Sequence, residues 1–184
     1  RNYKSIHIVT SDNRTILSYP AGSETDAYHL PSYDSLTFLD FVIDRECKEY
    51  KLGIYLPVYT NAGKREKSAS VIFIIDLFSK FYPLVESFPF KTESGEFILV
   101  KRDQDSVRFL SPLRFNKAAP YTLSLSIHRS ELPAAKAIKG TRGYFEGKDY
   151  RGVNVLSYIC EIKGTPWFLI AKMDTNEVFK NLYD

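Results

Sequence analysis

Apolar positions along this chain fall mostly into short runs that alternate with polar residues at period two, or are apolar throughout, and these runs predict strands. Ser5 to Pro20 (SIHIVTSDNRTILSYP) reads as a hairpin: an alternating run, the turn formers Ser11, Asp12 and Asn13, then a second short strand. The next stretch, AGSETDAYHLPSYDS, has no period and many turn residues, so it is expected to be loop with at most a short helix. Strands are expected again over Leu36 to Arg45, Lys51 to Thr60 and Ser68 to Phe78, separated by the polar breaks ECKEY and NAGKREK. Within the last of these, VIFIIDLF is apolar almost without interruption and suits a central strand covered on both faces.

The second half repeats the plan. SKFYPLVESFP, ending at Pro89, is amphipathic and predicts a helix or extended connector. GEFILVKRD and SVRFLSPL form a hairpin turning at Asp103 to Asp105, and YTLSLSIH is a further strand or a lid segment. ELPAAKAIKG predicts a helix, with Pro133 in its first turn, alanines at 134, 135 and 137, and Gly140 at its C-cap. VNVLSYICEI and PWFLIAKM flank the turn Lys163 to Thr165 as a closing hairpin, entered through a corner at Tyr150, Arg151 and Gly152. TNEVFKNLYD starts as an amphipathic helix capped by Asp174 or Thr175.

A chain of 184 residues with 44% hydrophobic and 15% aromatic residues has ample material for a core. The formal charge of +3 is too mild to point to nucleic acid, and the basic residues are not clustered: 10 basic against 11 acidic up to Phe90, 15 against 11 after it. No apolar run is long enough to cross a bilayer, and the chain opens at Arg1 without a signal-peptide pattern. Cys47 and Cys160 are expected to be free thiols beside strands, with a long-range bridge as the alternative. His7, His29 and His128 lie far apart, and the chain has no HExxH, CxxC or glycine-rich phosphate loop, so no metal or cofactor is expected.

The wording of the closing hairpin is more particular than its pattern. DYRGVNVLSY, a short turn and GTPWFLIAKMD resemble the end of Cache-type, PAS-like sensor domains, and the resemblance extends upstream through LPAAKAIKG, GEFILVKRDQDSVRFLSPLRF and FYPLVESFP. It implies an α+β chain of two tandem PAS-like (Cache) modules, each a mainly antiparallel five-stranded sheet with flanking helices: a membrane-distal module over residues 1–89 and a membrane-proximal one over 90–184. It further implies the extracytoplasmic, periplasmic portion of a membrane-anchored receptor, of histidine kinase or diguanylate cyclase type, that senses a small polar molecule in its distal pocket. Such a sensor domain does no chemistry of its own, and a homodimer is among the arrangements the resemblance allows. The helix after Asp174, and one before Arg1, would pass the signal to the membrane.

For the ligand, Tyr28, His29 and Tyr33 fall where the lid of such a pocket is expected, and Asp40 and Asp44 share a strand face at period two. Tyr55 alternates with Tyr59 as a pocket wall or a half-exposed sheet aromatic, and Asp76 ends a strand as either a ligand contact or a helix cap. Amino-acid-binding Cache domains carry an Arg and aromatic lid motif, a Tyr on the third strand and an Asp at the end of the last strand. Here the lid has no Arg and the third strand has Val42, so only Asp76 matches. Asp149 to Gly152 read first as a structural corner with Arg151 paired to Glu146 or Asp149 at the surface, and Trp167 reads as core. Two other classes stay open: an interaction or dimerisation module with both pockets filled, and a small hydrolase using Asp40 and Asp44 or a Ser-His pair.

Overall fold

In the computed structural model, residues 3–12, 14–23, 34–43, 50–60 and 66–183 are described. The chain divides into two compact units, Arg1–Phe81 and Tyr82–Asp184.

The first unit is a five-stranded antiparallel sheet of β1 (Ser5–Thr10), β2 (Thr15–Tyr19), β3 (Thr37–Ile43), β4 (Tyr50–Tyr59) and β5 (Lys67–Asp76), in the order β2-β1-β5-β4-β3. The apolar run VIFIID forms the central strand, as its composition requires. Alternation turns Val9, Leu39, Tyr55, Ile72 and Ile74 onto one face, where they form a core. A π-helical turn, Leu77–Phe81, follows β5 and packs against β4 and β5 through the fully buried Leu77.

The second unit opens with α1 (Tyr82–Glu86) packed on β6 (Glu96–Asp103). β7 (Ser106–Phe109), β8 (Ser124–Ser126), α2 (Pro133–Ile138), β9 (Gly143–Lys148), β10 (Asn154–Glu161), β11 (Trp167–Asp174) and α3 (Thr175–Tyr183) complete it. The division between units falls inside the connector, ahead of Pro89, because its π-helical part packs on the first sheet and α1 on the second. The second sheet runs β8-β7-β6-β11-β10-β9. Without β8 this is the strand order of the first sheet, so the two units are copies of one topology.

The second sheet has six strands, not the expected five, since the short β8 adds itself outside β7. GYFEGK, unassigned from sequence, is the edge strand β9, paired with β10 from Gly143↔Ile159 to Lys148↔Asn154. A Cβ on Gly147 would stand 2.1 Å from the Glu131 carbonyl oxygen, which accepts the Lys148 N–H at 2.8 Å. The glycine is thus what lets the 131 loop approach the strand. α2 lays Ala134, Ala135 and Ala137 on the core of Ile98, Val100, Phe109, Ile159 and Ile170, and side chains this small bring helix and sheet close together. Gly140, at φ +100, follows its C-cap Lys139 in the left-handed conformation. Trp167 is 2% exposed, in the core as expected.

Candidate functional site

The core face of the first sheet is not wholly apolar. Ser5 and His7 on β1 and Ser70 on β5 are buried there beside Tyr55, which is 0% exposed. Ser70 Oγ donates to the Tyr55 phenol oxygen at 2.7 Å. His7 lies opposite Ser18 in the β1–β2 ladder, with Nδ1 3.2 Å from Ser18 Oγ and Nε2 2.9 Å from Ser5 Oγ. Burial holds the His7 pKa below the ordinary imidazole value, and the nearby Lys51 ammonium adds to this. The ring is therefore neutral at pH 7. Lys51 lies opposite Asp76, and its own pKa is lowered by burial and by Lys4. Tyr59 donates to the Asp34 carbonyl at 2.7 Å, and the Lys67 ammonium stands 5.0 Å from the centre of the Tyr55 ring.

In the second sheet, Glu96, Lys172 and Ser157 occupy the row that Ser5, Ile74 and Gly53 occupy in the first. Here the face is closed by ion pairs. Lys172, whose side chain is 1% exposed, places Nζ 2.9 Å from Glu96 Oε1, 3.0 Å from Asp149 Oδ2 and 3.5 Å from Asp174 Oδ1. Arg151 donates from Nε to Asp149 Oδ2 at 2.8 Å, bridges on to Asp174, and lies 4.2 Å from the centre of the Phe115 ring. Glu96 also accepts the Tyr150 hydroxyl at 2.9 Å and the Arg114 N–H at 2.6 Å. Burial pushes the Asp149 carboxyl up, but hydrogen bonds from Arg151 and Lys172 outweigh it and hold the pKa below its ordinary value. Burial and the Glu96 charge raise the Tyr150 pKa, keeping the phenol protonated. Between this cluster and α2 remains a cavity of about 10 Å³ lined by Ile98, Phe109, Leu132 and Lys172 among others. That is room for about one water.

No family model matches the chain, and no curated protein matches it. Solved structures do. The ligand-binding domain of the Pseudomonas fluorescens chemoreceptor CtaA, in complex with L-isoleucine, superposes with a TM-score of 0.64 at 15% identity, over 97% of this chain and 72% of that one. The ligand-binding domain of the Pseudomonas aeruginosa PAO1 amino acid chemoreceptor PctB, with L-Arg, gives 0.64 at 14% identity, over 99% and 70%. The extracellular domain of mmHK1S-Z3, named as a candidate histidine kinase, gives 0.58 at 13% identity, over 82% and 53%. These are Cache-type sensor domains. The chain has the Cache fold.

Within that Cache fold the residues singled out from sequence are placed unevenly. Tyr28, His29, Tyr33 and Asp44 lie outside the described residues, as does Cys47. Asp40 is on β3 between Leu39 and Phe41, the two residues of that stretch buried in the core, and the ladder to β4 slips between Leu39 and Val42. Tyr55 is an inner-face residue. Asp76 caps the turn after β5, accepting the N–H groups of Phe78 at 2.9 Å and Ser79 at 3.5 Å. Slight burial raises its pKa, but hydrogen bonds from Ser79 and Phe78 leave it below the ordinary value.

Arg151 pairs with Asp149 and Asp174 rather than with Glu146, and is mostly buried because the corner folds back over β11. Cys160 is a free, half-buried thiol. Lys172 and Glu96 were missed. Their signal was a charge at an inward period-two position inside the runs FLIAKMD and GEFILV. His7 does lie within reach of two serines, as a Ser-His hydrolase would need. The charge acting on its ring is the cation Lys51, the opposite of the carboxylate that holds a catalytic imidazole.

Proposed function

We propose that this chain is the extracytoplasmic ligand-sensing portion of a membrane-bound receptor of histidine kinase or diguanylate cyclase type, with the first unit membrane-distal and the second membrane-proximal. The observation that carries this reading is the contrast between two faces of one topology. The inner face of the second sheet is filled by its own ion pairs and by α2, leaving space for about one water. The inner face of the first presents Ser5, His7, Tyr55 and Ser70, buried polar groups that form no ion pair among the described residues. A small polar molecule binds there, against the segment joining β2 and β3, with Tyr28, His29 and Tyr33 from that segment and Asp40, Asp44, Tyr55 and Asp76 from the sheet and its ends. That CtaA and PctB were solved with L-isoleucine and L-Arg supports a small ligand of this kind.

The ligand acts by binding one arrangement of the module more tightly than another, and α3 carries the difference onward. No described helix is long and apolar enough to cross a membrane, so this reading assigns the membrane anchor to parts of the parent protein beyond this chain.

A thermal-shift screen of amino acids, small carboxylates and amines tests the reading. A ligand at a hundred times its dissociation constant adds about 2.7 kcal/mol to the folded state. For a chain of this length that is about 5–10 °C in Tm. If no compound in the screen raises Tm at millimolar concentration, direct sensing by the first unit fails.

A further inference from the structure

We propose that the outer face of the first sheet, the side turned away from Val9, Tyr55 and Ile72, is a self-association surface on which a second copy of this chain packs sheet against sheet about a two-fold axis. The inference does not depend on what the first unit binds.

The ladders line this face up in cross-strand rows. One row is Tyr19, Ile6, Phe73, Ile54 and Phe38, across all five strands, and the next is Leu17, Ile8, Val71 and Leu56, across four. Beyond them Ala69 pairs with Val58. Alternation puts these side chains opposite the core, yet none of them is charged. Tyr3 adds its ring, edge-on to Phe73 at 6.4 Å, and Leu17, Tyr19, Leu56 and Val58 are still 39–51% exposed. β5 has the composition of a strand covered on both faces, but only its inner residues, Ile72 and Ile74 among them, are buried, while Val71 and Phe73 are not. In the second unit the same side of the sheet is covered: α1 packs on β6, Phe88 stands 5.0 Å from Phe97, and Leu99 is 1% exposed.

Monomers rarely leave so continuous an apolar face to water. A second copy is the occupant this face selects. Its rows offer no charge by which an unlike partner could be matched, and rows of β-branched and aromatic side chains interdigitate with their like when two twisted sheets stack about 10 Å apart. Charge does not oppose the pairing, since Arg1–Phe81 contains 10 basic and 10 acidic residues. The area sets the strength. Five strands at a spacing of about 4.8 Å, and the span from Ile6 to Thr10 at about 3.4 Å per residue, give roughly 400 Å² of face on each copy. Two such faces cover about 800 Å², below the range of stable interfaces, so the dimer is weak and forms only as concentration rises.

Sedimentation velocity of the whole chain from about 1 μM to about 1 mM tests the proposal. The expected result is a reversible shift from one copy to two with no larger species, because a two-fold contact closes on itself. Leu17 and Leu56 stand at the two ends of the middle row, and both are exposed. The double variant L17E/L56E sets like charges into the contact and stays at one copy at the highest concentration. L84E, the same change at an exposed leucine of α1 in the second unit, leaves the dimer as it was. Circular dichroism and Tm establish that each variant is folded. A chain that sediments as one copy throughout overturns the proposal; if it then binds an apolar dye and L17E/L56E does not, the face belongs to another occupant, a helix of the parent protein or a lipid surface. A dimer that survives L17E/L56E, or is lost in L84E as well, does not depend on this face and overturns it equally.

Discussion

Replacing Lys172 by Met is the sharpest test of how the second unit is held together. Met fills a similar volume, so the substitution removes a charge and leaves little cavity. Among the described residues, Lys172 is the one cation that reaches Glu96, Asp149 and Asp174 together, and its side chain is 1% exposed. Removing one partner from a buried ion pair leaves the other charge uncompensated and costs about 3–5 kcal/mol. Arg151 still serves Asp149 and Asp174, and Tyr150 and the Arg114 N–H still serve Glu96, so the lower end of that range is expected. For a unit of about a hundred residues this lowers Tm by about 12 °C or more.

The single tryptophan, Trp167, lies in the core on the same strand, so urea titration followed by its fluorescence reports the unfolding of the second unit alone. The effect also has a pH signature. Asp149 has a depressed pKa in the folded state, partly through Lys172, so it adds stability above its unfolded value, near about pH 3.9, and loses it as pH falls through the folded value. The gap between wild type and K172M is therefore widest at neutral pH and narrows in acid. A second substitution, E96Q, in the K172M background should restore part of the loss, with a coupling of at least about 1 kcal/mol. A K172M protein within about 1 kcal/mol of wild type at pH 7 would refute the argument.

Glu177 ties the first turn of α3 to the loop before β6, accepting the Thr92 hydroxyl at 2.6 Å, the N–H groups of Glu93 and Ser94 at 2.8 Å each, and the Ser94 hydroxyl. Desolvation pushes its carboxyl up, but these bonds together outweigh it and hold the pKa at about 2. E177Q should cost about 1 kcal/mol, discounted for exposure, and speed amide exchange at 93–95 and in α3. The same exchange should rise in wild type as pH drops from about 4.5 toward 2, and protection that ignores both changes would mean the tie is idle. Gly147→Ala forces the Glu131 carbonyl away and should destabilise the second unit by about 1–3 kcal/mol in the Trp167 assay, whereas an unchanged midpoint would mean the 131 loop yields freely. His7, with its lowered pKa, contributes stability above about pH 6.5 that is lost as pH falls through its folded value. NMR titration of its ring should give a midpoint below that of a model peptide, and a midpoint at or above 6.5 would contradict a buried neutral ring.

Period-two runs such as SIHIVT, VIFIID and FLIAKM were enough to place most strands, because alternation is a local property and each run carries it alone. The turn residues between them set the hairpins, and Pro133, the alanines and Gly140 mark α2 for the same local reason. β9 was hidden because its glycines read as loop, while Gly147 is there to admit a carbonyl from elsewhere in the chain, a requirement that exists only once the fold brings Glu131 there. The sixth strand and the exact partition of the connector likewise depend on which sheet each piece packs against.

For the site the division is sharper. Sequence singled out Tyr55 and left Asp76 between ligand and cap, and the hydrogen bonds to Phe78 and Ser79 show the capping role. It had no means of finding the Lys172 cluster, whose members span Glu96 to Asp174. By itself, then, the sequence determined most of the strands, the hairpins and the repeat of one plan along the chain. Which charges meet, and that ion pairs close the inner face of the second sheet, was decided by tertiary structure, since electrostatic pairing depends on distances that the chain acquires only on folding.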